Sequence, residues 1–194
     1  MSEVIKKKIK FNNDIMDLIS KKFYSFDVET TGLNPVTDRI IEIGCCEFIN
    51  LKPIREFSTL INANHYIPYH VTKINNISNE MLKNAPIEEE VYYYFSSFIK
   101  SVLEGKAVIV AHNASFDMNF LSNTLDRLGI NGKLYYIDTL DLARQYLSLP
   151  NNKQTTVANY FNIPLGNAHR AGDDALVCGK ILVEIVRLLN KNEI

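Results

Sequence analysis

The clearest alternation of apolar and polar residues in the chain begins at Phe23. Tyr24, Phe26 and Val28 occupy alternate positions, and the residues between them are polar. Successive side chains of a strand point to opposite faces of a sheet, so this period of two predicts a strand with one buried face. The segment Thr-Thr-Gly-Leu-Asn-Pro at 30–35 follows directly and is typical of a turn. We therefore predict that the sheet begins at residue 23.

Further segments predict the rest of the sheet. Residues 39–50 and 54–62 indicate two strands joined by a short Leu-Lys-Pro turn, so an antiparallel meander opens the domain. The apolar run at 107–111 is typical of a buried parallel strand, and residues 134–137 predict one more. The polar, Asn-rich stretch at 62–86 has no strong period, and we expect a long loop with short helical pieces there.

Helices are predicted between and after these strands. Val91, Phe95, Phe98 and Val102 follow the i, i+4, i+7, i+11 spacing of one helix face. Further helices are expected at 115–128, 139–147, 155–161 and 171–189. Three strands followed by alternating helices and strands indicate an α/β fold, in which helices flank a mixed sheet of an antiparallel meander and later parallel strands.

The length of 194 residues suits a single domain. We predict one domain over residues 23–190, preceded by a polar, Lys-rich N-terminal arm at 1–22 that carries a short helix around 14–20. With 46% hydrophobic and 22% charged residues, the composition excludes a disordered chain. The apolar runs are shorter than the roughly 20 residues that span a bilayer, and no secretory signal is visible, so we expect no membrane partner.

The cysteines and the net charge bear on the redox environment and on the binding partners of the protein. Cys45, Cys46 and Cys178 lack the spacing of a zinc site or a disulfide scaffold, so we expect buried free thiols in a reducing cytoplasm. The formal net charge of −1 argues at first sight against a nucleic-acid binder.

Two carboxylates stand at the end of the first predicted strand. Asp27 and Glu29 are two positions apart, so they share a face of the strand with Cα atoms roughly 6.6 Å apart. Two like charges at this distance raise each other's pKa unless a cation lies between them. The apolar residues before them indicate an interior strand, where an unpaired acidic pair is costly. Mg²⁺ or Mn²⁺ suits such oxygen ligands, and the alternative is a solvated strand end.

A second polar cluster, at residues 112–117, follows the apolar run at 107–111. The carboxyl end of a strand in an α/β sheet is where ligands usually bind. Asp117 falls in the first turn of the next predicted helix, where the helix dipole favours a negative charge. The alternative is an ordinary strand-to-helix loop that Asn113 or Ser115 caps.

A third cluster, at residues 169–175, opens the last predicted helix. If the whole cluster were helical, His169 and Asp173 would share a face, whereas His169 and Asp174 would lie about 140° apart. Gly172 weakens that assumption because glycine suits a loop or a first turn. Helical geometry alone does not choose between the two aspartates.

Together, these three clusters resemble the three motifs of the DEDDh branch of the DnaQ-like 3′–5′ exonucleases, the family of the proofreading epsilon subunit of DNA polymerase III. The motifs occur in the family's order, and the resemblance runs from about residue 23 to residue 189. It implies an RNase H-like fold and hydrolysis of a nucleic-acid 3′ end with two divalent ions, Mg²⁺ or Mn²⁺. It also implies that Asp174 is a ligand and that Asp173 is not. Carried over position by position, the implied metal ligands are Asp27, Glu29, Asp117 and Asp174, and the implied general base is His169.

The resemblance also implies where the terminal nucleotide binds. The backbone after the ligand strand approaches that nucleotide, and Leu33 and Phe116 pack on its base or sugar; core packing is the alternative for both. Asn75 and Asn76 stand where many family members carry His-Gly. The candidate substrate-binding residues are Thr30, Thr31, Gly32, Leu33, Asn113 and Phe116.

Three functions remain open at this point. A DNA exonuclease is favoured over an RNA exonuclease of the tRNA-trimming or oligoribonuclease type, because the run at 27–35 looks closer to the proofreading members. A non-catalytic module that binds nucleic acid or a polymerase is least favoured, because all five catalytic positions are filled. The short segment after the last predicted helix leads us to expect a standalone enzyme or a short protein of the proofreading type, with a DNA polymerase subunit as a candidate partner. Two divalent ions would change the formal charge from −1 to about +3, so we expect weak, metal-dependent binding to single-stranded 3′ ends.

Overall fold

Six strands form one mixed sheet in the computed structural model, which describes residues 3–167 and 169–192. In chain order, the strands are β1 (Ile5–Lys8), β2 (Lys22–Thr30), β3 (Ile40–Ile49), β4 (Lys52–Leu60), β5 (Val108–Ala111) and β6 (Lys133–Asp138). Their order across the sheet is β1-β6-β5-β2-β3-β4. Strands β2, β3 and β4 pair antiparallel, and β2, β5, β6 and β1 run parallel to one another. The predicted mixed sheet, a meander followed by parallel strands, is confirmed.

Helices cover both faces of this sheet. They are α1 (Asn13–Lys21), α2 (Tyr69–Asn75), α3 (Asn79–Leu82), α4 (Glu88–Phe98), α5 (Lys100–Leu103), α6 (Ser115–Arg127), α7 (Thr139–Tyr146), α8 (Gln154–Tyr160) and α9 (Ala171–Asn192). The two short helices α2 and α3 lie in the polar stretch at 62–86, as predicted. Among the helices of the described residues, none is long and apolar enough to cross a membrane.

Two apolar cores lie on opposite faces of the sheet. On one face, Phe26 of β2 stacks on Phe95 of α4 with ring centroids 5.8 Å apart. On the other face, Phe23 of β2 stacks on Phe48 of β3 at 4.6 Å, and this pair packs among the apolar residues of α9. The period of two in β2 therefore divides its side chains between the two cores.

The start of α9 approaches β3 unusually closely. A Cβ atom built on Gly44 would lie 2.0 Å from the carbonyl oxygen of Ala171, so only glycine fits at this point of β3. The first turn of α9 is thereby placed against the carboxyl end of β2, which is the neighbour of β3 in the sheet.

The N-terminal segment differs from the predicted arm at 1–22. Strand β1 pairs parallel with β6, with Ile5 opposite Lys133, and Met16 and Ile19 of α1 are buried. All four residues of β1 are exposed, and three of them are lysines, which protect a sheet edge from further pairing. No buried face marks such a strand in the sequence, so the expectation of an arm is corrected here. The short helix predicted around 14–20 agrees with α1.

Candidate active site

Asp27 and Glu29 lie near the carboxyl end of β2, on the face that α9 covers. In the antiparallel register with β3, Asp27 is opposite Gly44 and Glu29 is opposite Glu42. Val28, between the two acids, is buried in the core on the other face. The two carboxylates therefore share one face, as the period of two predicts.

The first turn of α9 brings a third carboxylate to this pair. Oxygen atoms of Asp27, Glu29 and Asp174, one from each residue, lie within 4.8 Å of one another. The neighbouring Asp173 instead accepts the backbone N–H of Asn167 at 2.8 Å. Of the two aspartates that helical periodicity leaves open, Asp174 joins the cluster, and Asp173 holds the segment before the helix.

A fourth carboxylate comes from the first turn of α6. Asp117 is buried, with 4% of its surface exposed, and it lines the same cleft of about 480 Å³ as Asp27, Glu29 and Asp174. Burial raises the pKa of Asp117 well above its ordinary value, and hydrogen bonds from backbone N–H groups, including that of Val28, oppose this shift in part. All four predicted metal ligands thus face one cleft.

Burial and mutual repulsion make these carboxyl groups hard to ionise together. For Asp27, burial is the largest effect, and the charges of Asp117 and Asp174 raise the pKa further above its ordinary value. Burial, followed by the charges of Glu42 and Asp174, raises the pKa of Glu29 to about 7. A cation among these oxygens would lower each of these pKa values, and hard divalent ions prefer all-oxygen donors. The residues present therefore fit a divalent metal site.

His169 lies at the mouth of the same cleft, two residues before α9. Its side chain is exposed, and its backbone is left-handed with φ 63°, which is uncommon for a residue with a Cβ. Its backbone N–H donates to Oδ2 of Asp174 at 2.9 Å. This hydrogen bond ties the backbone of His169 to the acidic cluster and leaves its ring on the solvent side.

Asp138, the last residue of β6, holds the loop that leads to Asp117. Its carboxylate accepts the backbone N–H groups of Asn113 at 2.9 Å and of Ala114 at 3.1 Å, and it caps α7 through the N–H of Leu140 at 3.0 Å. The sequence left open that Asn113 caps the following helix. Helix α6 has no side-chain cap, and Asn113 lines the cleft instead. The sequence motifs did not include Asp138, although an aspartate directly before a helical pattern is a known N-cap signal.

His112 also lines the cleft and supports the same loop. Its Nδ1 lies 2.9 Å from Oγ1 of Thr139, and its Nε2 lies 2.8 Å from the carbonyl oxygen of Asn152. Burial lowers the pKa of His112, so the ring is neutral at neutral pH and its Nε2–H donates to that carbonyl. The ring therefore links the loop before α6 to the segment before α8.

A residue of α8 contacts the acidic cluster directly. The amide nitrogen of Gln154 donates to Oδ1 of Asp174 at 3.2 Å and to its carbonyl oxygen at 3.1 Å. Lys153 and Thr155, on either side of it, also line the cleft. Periodicity could not reveal this contact, because it joins residues 20 positions apart through tertiary packing.

A second cavity of about 600 Å³ adjoins the acidic cluster at Glu29. Leu33 stands at its rim with 84% of its surface exposed, and Phe116 packs against Phe120 with ring centroids 4.9 Å apart. Phe116 lines both this cavity and the acidic cleft. The cavity is lined by Val28, Glu29, Thr30, Gly32, Leu33, Asn34, Asp38, His70, Val71, Ile74, Asn75 and Phe116.

Thr31 is the predicted substrate-binding residue that the structure places elsewhere. Its side chain is buried, with 1% exposed, and its hydroxyl oxygen accepts the backbone N–H of Arg39 at 3.0 Å. Thr30 does line the cavity, and its hydroxyl donates to the carbonyl oxygen of Gly32 at 2.6 Å. The register of β2 against β3 shifts between Glu29 and Thr30. This irregularity turns the side chain of Thr31 toward the start of β3, and the approach of its backbone to the nucleotide stays a prediction.

The Asn75-Asn76 pair, which departs from the family pattern, lies beside this cavity. Asn75 is buried at its wall, and its amide lowers the pKa of Glu29 in part by hydrogen bonding. Asn76 ends α2 with φ 57°, a left-handed conformation that asparagine and glycine adopt readily. The backbone of this turn therefore survives the exchange of Gly for Asn, and an amide takes the place of an imidazole beside Glu29.

One family of known proteins matches most of the chain. The family RNase_T, described as Exonuclease, matches residues 25–182. The chain is 39% identical over 170 residues to the DNA polymerase III subunit epsilon of Treponema pallidum, which covers 84% of this chain and 76% of that protein. It is 38% identical over 171 residues to the DNA polymerase III PolC-type protein of Caldanaerobacter subterraneus subsp. tengcongensis, which covers 88% of this chain. The chain spans only 12% of the length of that PolC-type protein.

Solved structures share the fold at lower sequence identity. Exonuclease X in complex with 5′ overhanging duplex DNA has a TM-score of 0.66 and 23% identity, and the match covers 87% of this chain and 93% of that one. Exonuclease I of E. coli in complex with a dT13 oligonucleotide has a TM-score of 0.74 and 16% identity, and the match covers 88% and 43%. The RNase H-like fold is thereby confirmed.

Proposed function

We propose, from the premise that the chain belongs to the RNase_T exonuclease family, that it removes nucleotides from the 3′ end of single-stranded or frayed DNA in a metal-dependent reaction. The observation that carries the proposal is the convergence of Asp27, Glu29 and Asp174 within 4.8 Å, beside the buried Asp117. The product is a nucleoside 5′-monophosphate where water attacks phosphorus and the bond to the 3′ oxygen of the preceding nucleotide breaks, since that oxygen leaves as the new 3′ hydroxyl and the phosphate stays on the released nucleotide.

The acidic cluster sets the chemistry of this proposal. Two divalent ions, Mg²⁺ or Mn²⁺, held by the four carboxylates would stabilise the attacking and leaving oxygens of an in-line displacement. His169 faces the same cleft, and an imidazole accepts a proton near neutral pH, so His169 is the proposed general base for the attacking water. Its backbone hydrogen bond to Asp174 keeps the base beside the ligand cluster.

The second cavity is the proposed site of the terminal nucleoside. It adjoins Glu29 and has a largely apolar wall to which Val28, Leu33 and Phe116 contribute, which suits a base and a sugar ring. Gly32 lies in the cavity wall without a side chain, so a nucleotide can approach the backbone there. A nucleotide in this cavity has its phosphate at the acidic cleft, because Glu29 and Phe116 belong to both.

The names of the relatives favour DNA as the substrate. The relatives named above are chains of DNA polymerase III, and the two structural neighbours were solved with DNA. These names also support a DNA polymerase as a partner and a place in DNA replication. The substrate test below distinguishes a DNA exonuclease from an RNA exonuclease of the same catalytic branch.

The decisive experiment uses matched oligonucleotides that carry a 5′ label. Single-stranded DNA, duplex DNA with a 3′ mismatch and RNA of the same sequence are each incubated with Mg²⁺, Mn²⁺ or EDTA. We expect a ladder that shortens from the 3′ end of both DNA substrates, with either metal and not in EDTA. Preference for RNA would overturn the substrate assignment, and hydrolysis in EDTA would overturn the metal mechanism. Unchanged activity in both Asp27→Ala and His169→Ala would contradict the assigned site.

A further inference from the structure

A fifth acid, which is buried, lies next to the cluster and is not among the proposed metal ligands. Glu42 of β3 is 1% exposed and stands directly opposite Glu29 in the β2–β3 register. Like charges directly opposite each other on neighbouring strands are destabilising. A buried carboxylate in this position therefore needs its own cation.

Arg170 supplies that cation. Its Nε and Nη2 atoms both donate to Oε1 of Glu42, at 2.9 and 2.7 Å, and the backbone N–H of Ala171 donates to Oε2 at 3.2 Å. One carboxylate of β3 thus holds the arginine side chain and the first backbone N–H of α9. The close approach of β3 and α9 at Gly44 makes these contacts possible.

The arginine lies between the proposed base and the last proposed ligand. It directly follows His169, whose left-handed backbone donates its N–H to Asp174. The carbonyl oxygen of Arg170 accepts the N–H of Asp174 at 3.0 Å, the first helical hydrogen bond of this turn. Arg170 therefore fixes the backbone next to both His169 and Asp174. Glu42 in turn ties Arg170 to β3, the strand beside Asp27 and Glu29.

A role in stability alone does not explain this arrangement well. Desolvation offsets much of the attraction in a buried ion pair, so apolar residues in place of both partners would cost little stability, although removal of one partner leaves a buried charge unpaired. The exposed segment that carries His169 has few other anchors: the N–H groups of Asn167 and His169 bond to Asp173 and Asp174 of the helix itself. Of the hydrogen bonds that residues 169–171 make within the described chain, only those to Glu42 reach the central sheet.

We propose that Glu42 and Arg170 form a positioning pair, which fixes the proposed base His169 and the proposed ligand Asp174 relative to the carboxylates of β2. The inference rests on the proposed function. Neither residue of the pair lines the cleft or the nucleoside cavity. Loss of the pair therefore lowers kcat and leaves KM for the oligonucleotide nearly unchanged, because the nucleoside cavity is built from other segments.

The first test is a double-mutant cycle on steady-state kinetics with single-stranded DNA and Mg²⁺. We expect Arg170→Gln and Glu42→Gln each to lower kcat by about 10- to 100-fold, since a displacement of about 1 Å in a catalytic group costs up to about 100-fold. The double variant is expected to be no worse than either single variant, because both remove one interaction. Arg170→Lys should recover only part of the activity, since one ammonium group cannot reproduce the planar fork.

The chain offers a matched control on the same strand. Glu47 of β3 is 2% exposed and binds Arg55 at 2.6 Å on the opposite face of the sheet, away from α9. Glu47→Gln and Arg55→Gln remove a buried pair of the same kind, so they should lower thermal stability without changing kcat. A fall in kcat as large in these controls as in the Glu42 and Arg170 variants would overturn the proposal.

A second readout needs neither metal nor activity. Hydrogen–deuterium exchange of the metal-free protein should be faster over residues 165–174 in Arg170→Gln and unchanged there in Arg55→Gln. Arg170 is half-exposed, so its substitution keeps the fold even where Glu42→Gln impairs it. Unchanged exchange in Arg170→Gln would refute the positioning role. If the wild-type chain hydrolyses no nucleic acid, the proposed function fails, and the exchange result still decides whether the pair anchors this segment.

Discussion

Replacing Glu29 by glutamine is expected to stabilise the metal-free protein at alkaline pH while abolishing metal-dependent hydrolysis. Burial, followed by the charges of Glu42 and Asp174, raises the pKa of Glu29 from 4.5 to about 7. An acid with a higher pKa in the folded state binds more protons when folded than when unfolded. The free energy of unfolding therefore falls as the pH rises from 4.5 to about 7, and the loss is complete above that range.

The size of this effect follows from the shift itself. At about 1.36 kcal/mol for each pH unit between the two pKa values, the ionised Glu29 costs the metal-free protein about 3 kcal/mol above pH 7. A glutamine amide carries no charge, so it avoids both the repulsion and most of the desolvation. We expect Glu29→Gln to raise the free energy of unfolding by about 1–3 kcal/mol at pH 8 in EDTA, and by close to zero near pH 4.5.

Urea denaturation followed by circular dichroism, in EDTA at pH 5 and pH 8, measures this difference. Glu47→Gln is the control of opposite sign: burial alone would raise the pKa of Glu47, but hydrogen bonds from Arg55 and Lys22 outweigh burial and lower it to about 2. That pair contributes stability above pH 4.5, so its loss should destabilise the protein at pH 8 by on the order of 1–3 kcal/mol. A Glu29→Gln variant less stable than the wild type at pH 8 in EDTA would refute the account of the acidic cluster.

Four further outcomes are expected. Asp174→Asn should lower kcat at least about 100-fold in steady-state assays. Asp173→Asn leaves the cluster intact and should retain activity within about 10-fold. Equal losses in the two variants would contradict the choice of Asp174 as the ligand. Gln154→Leu should raise the Mg²⁺ concentration for half-maximal activity by about 10-fold, as loss of a group that orients a ligand does in metal sites, and a metal titration checks this. Leu33→Ala should raise KM for DNA with kcat little changed, which steady-state kinetics at varied oligonucleotide concentration would show. Ile5→Pro removes the N–H that bonds to the carbonyl of Gly132 at 3.0 Å, and should lower the free energy of unfolding by about 1–3 kcal/mol in urea melts; an unchanged melt would show that β1 contributes nothing.

Local periodicity predicts most of this fold because its elements bury one face each. The strand predicted from Phe23 is β2, and the last helix, predicted at 171–189, is α9 at Ala171–Asn192. Local periodicity does not predict strand β1. An edge strand of lysines has no buried face, so its place beside β6 follows from pairing that no local pattern encodes.

The sequence likewise indicates some residues of the candidate site and not others. The four carboxylates and His169 lie in motifs with a recognisable order, so the sequence indicates them. Asp138, Gln154 and Glu42 act through partners 20 to 129 positions away, and each has an ordinary local explanation as a helix cap, a helix residue or a strand residue. Glu42 is the exception that could have been found, because a carboxylate inside the apolar run Ile-Ile-Glu-Ile requires a buried partner.

The near-neutral net charge also acquires a physical meaning in the structure. The carboxylates of Asp27, Glu29, Asp117 and Asp174 face one cleft, and Lys153 is a basic residue at its edge. Arg170 offsets the charge of Glu29 only in part, since its guanidinium group is bound to Glu42. A cleft of this composition repels a phosphodiester until divalent ions occupy it, so substrate affinity and metal occupancy are coupled. Under the proposed function, the chain needs no basic surface to act on DNA, because bound divalent ions would supply the charge that attracts the scissile phosphate, at the place where hydrolysis occurs.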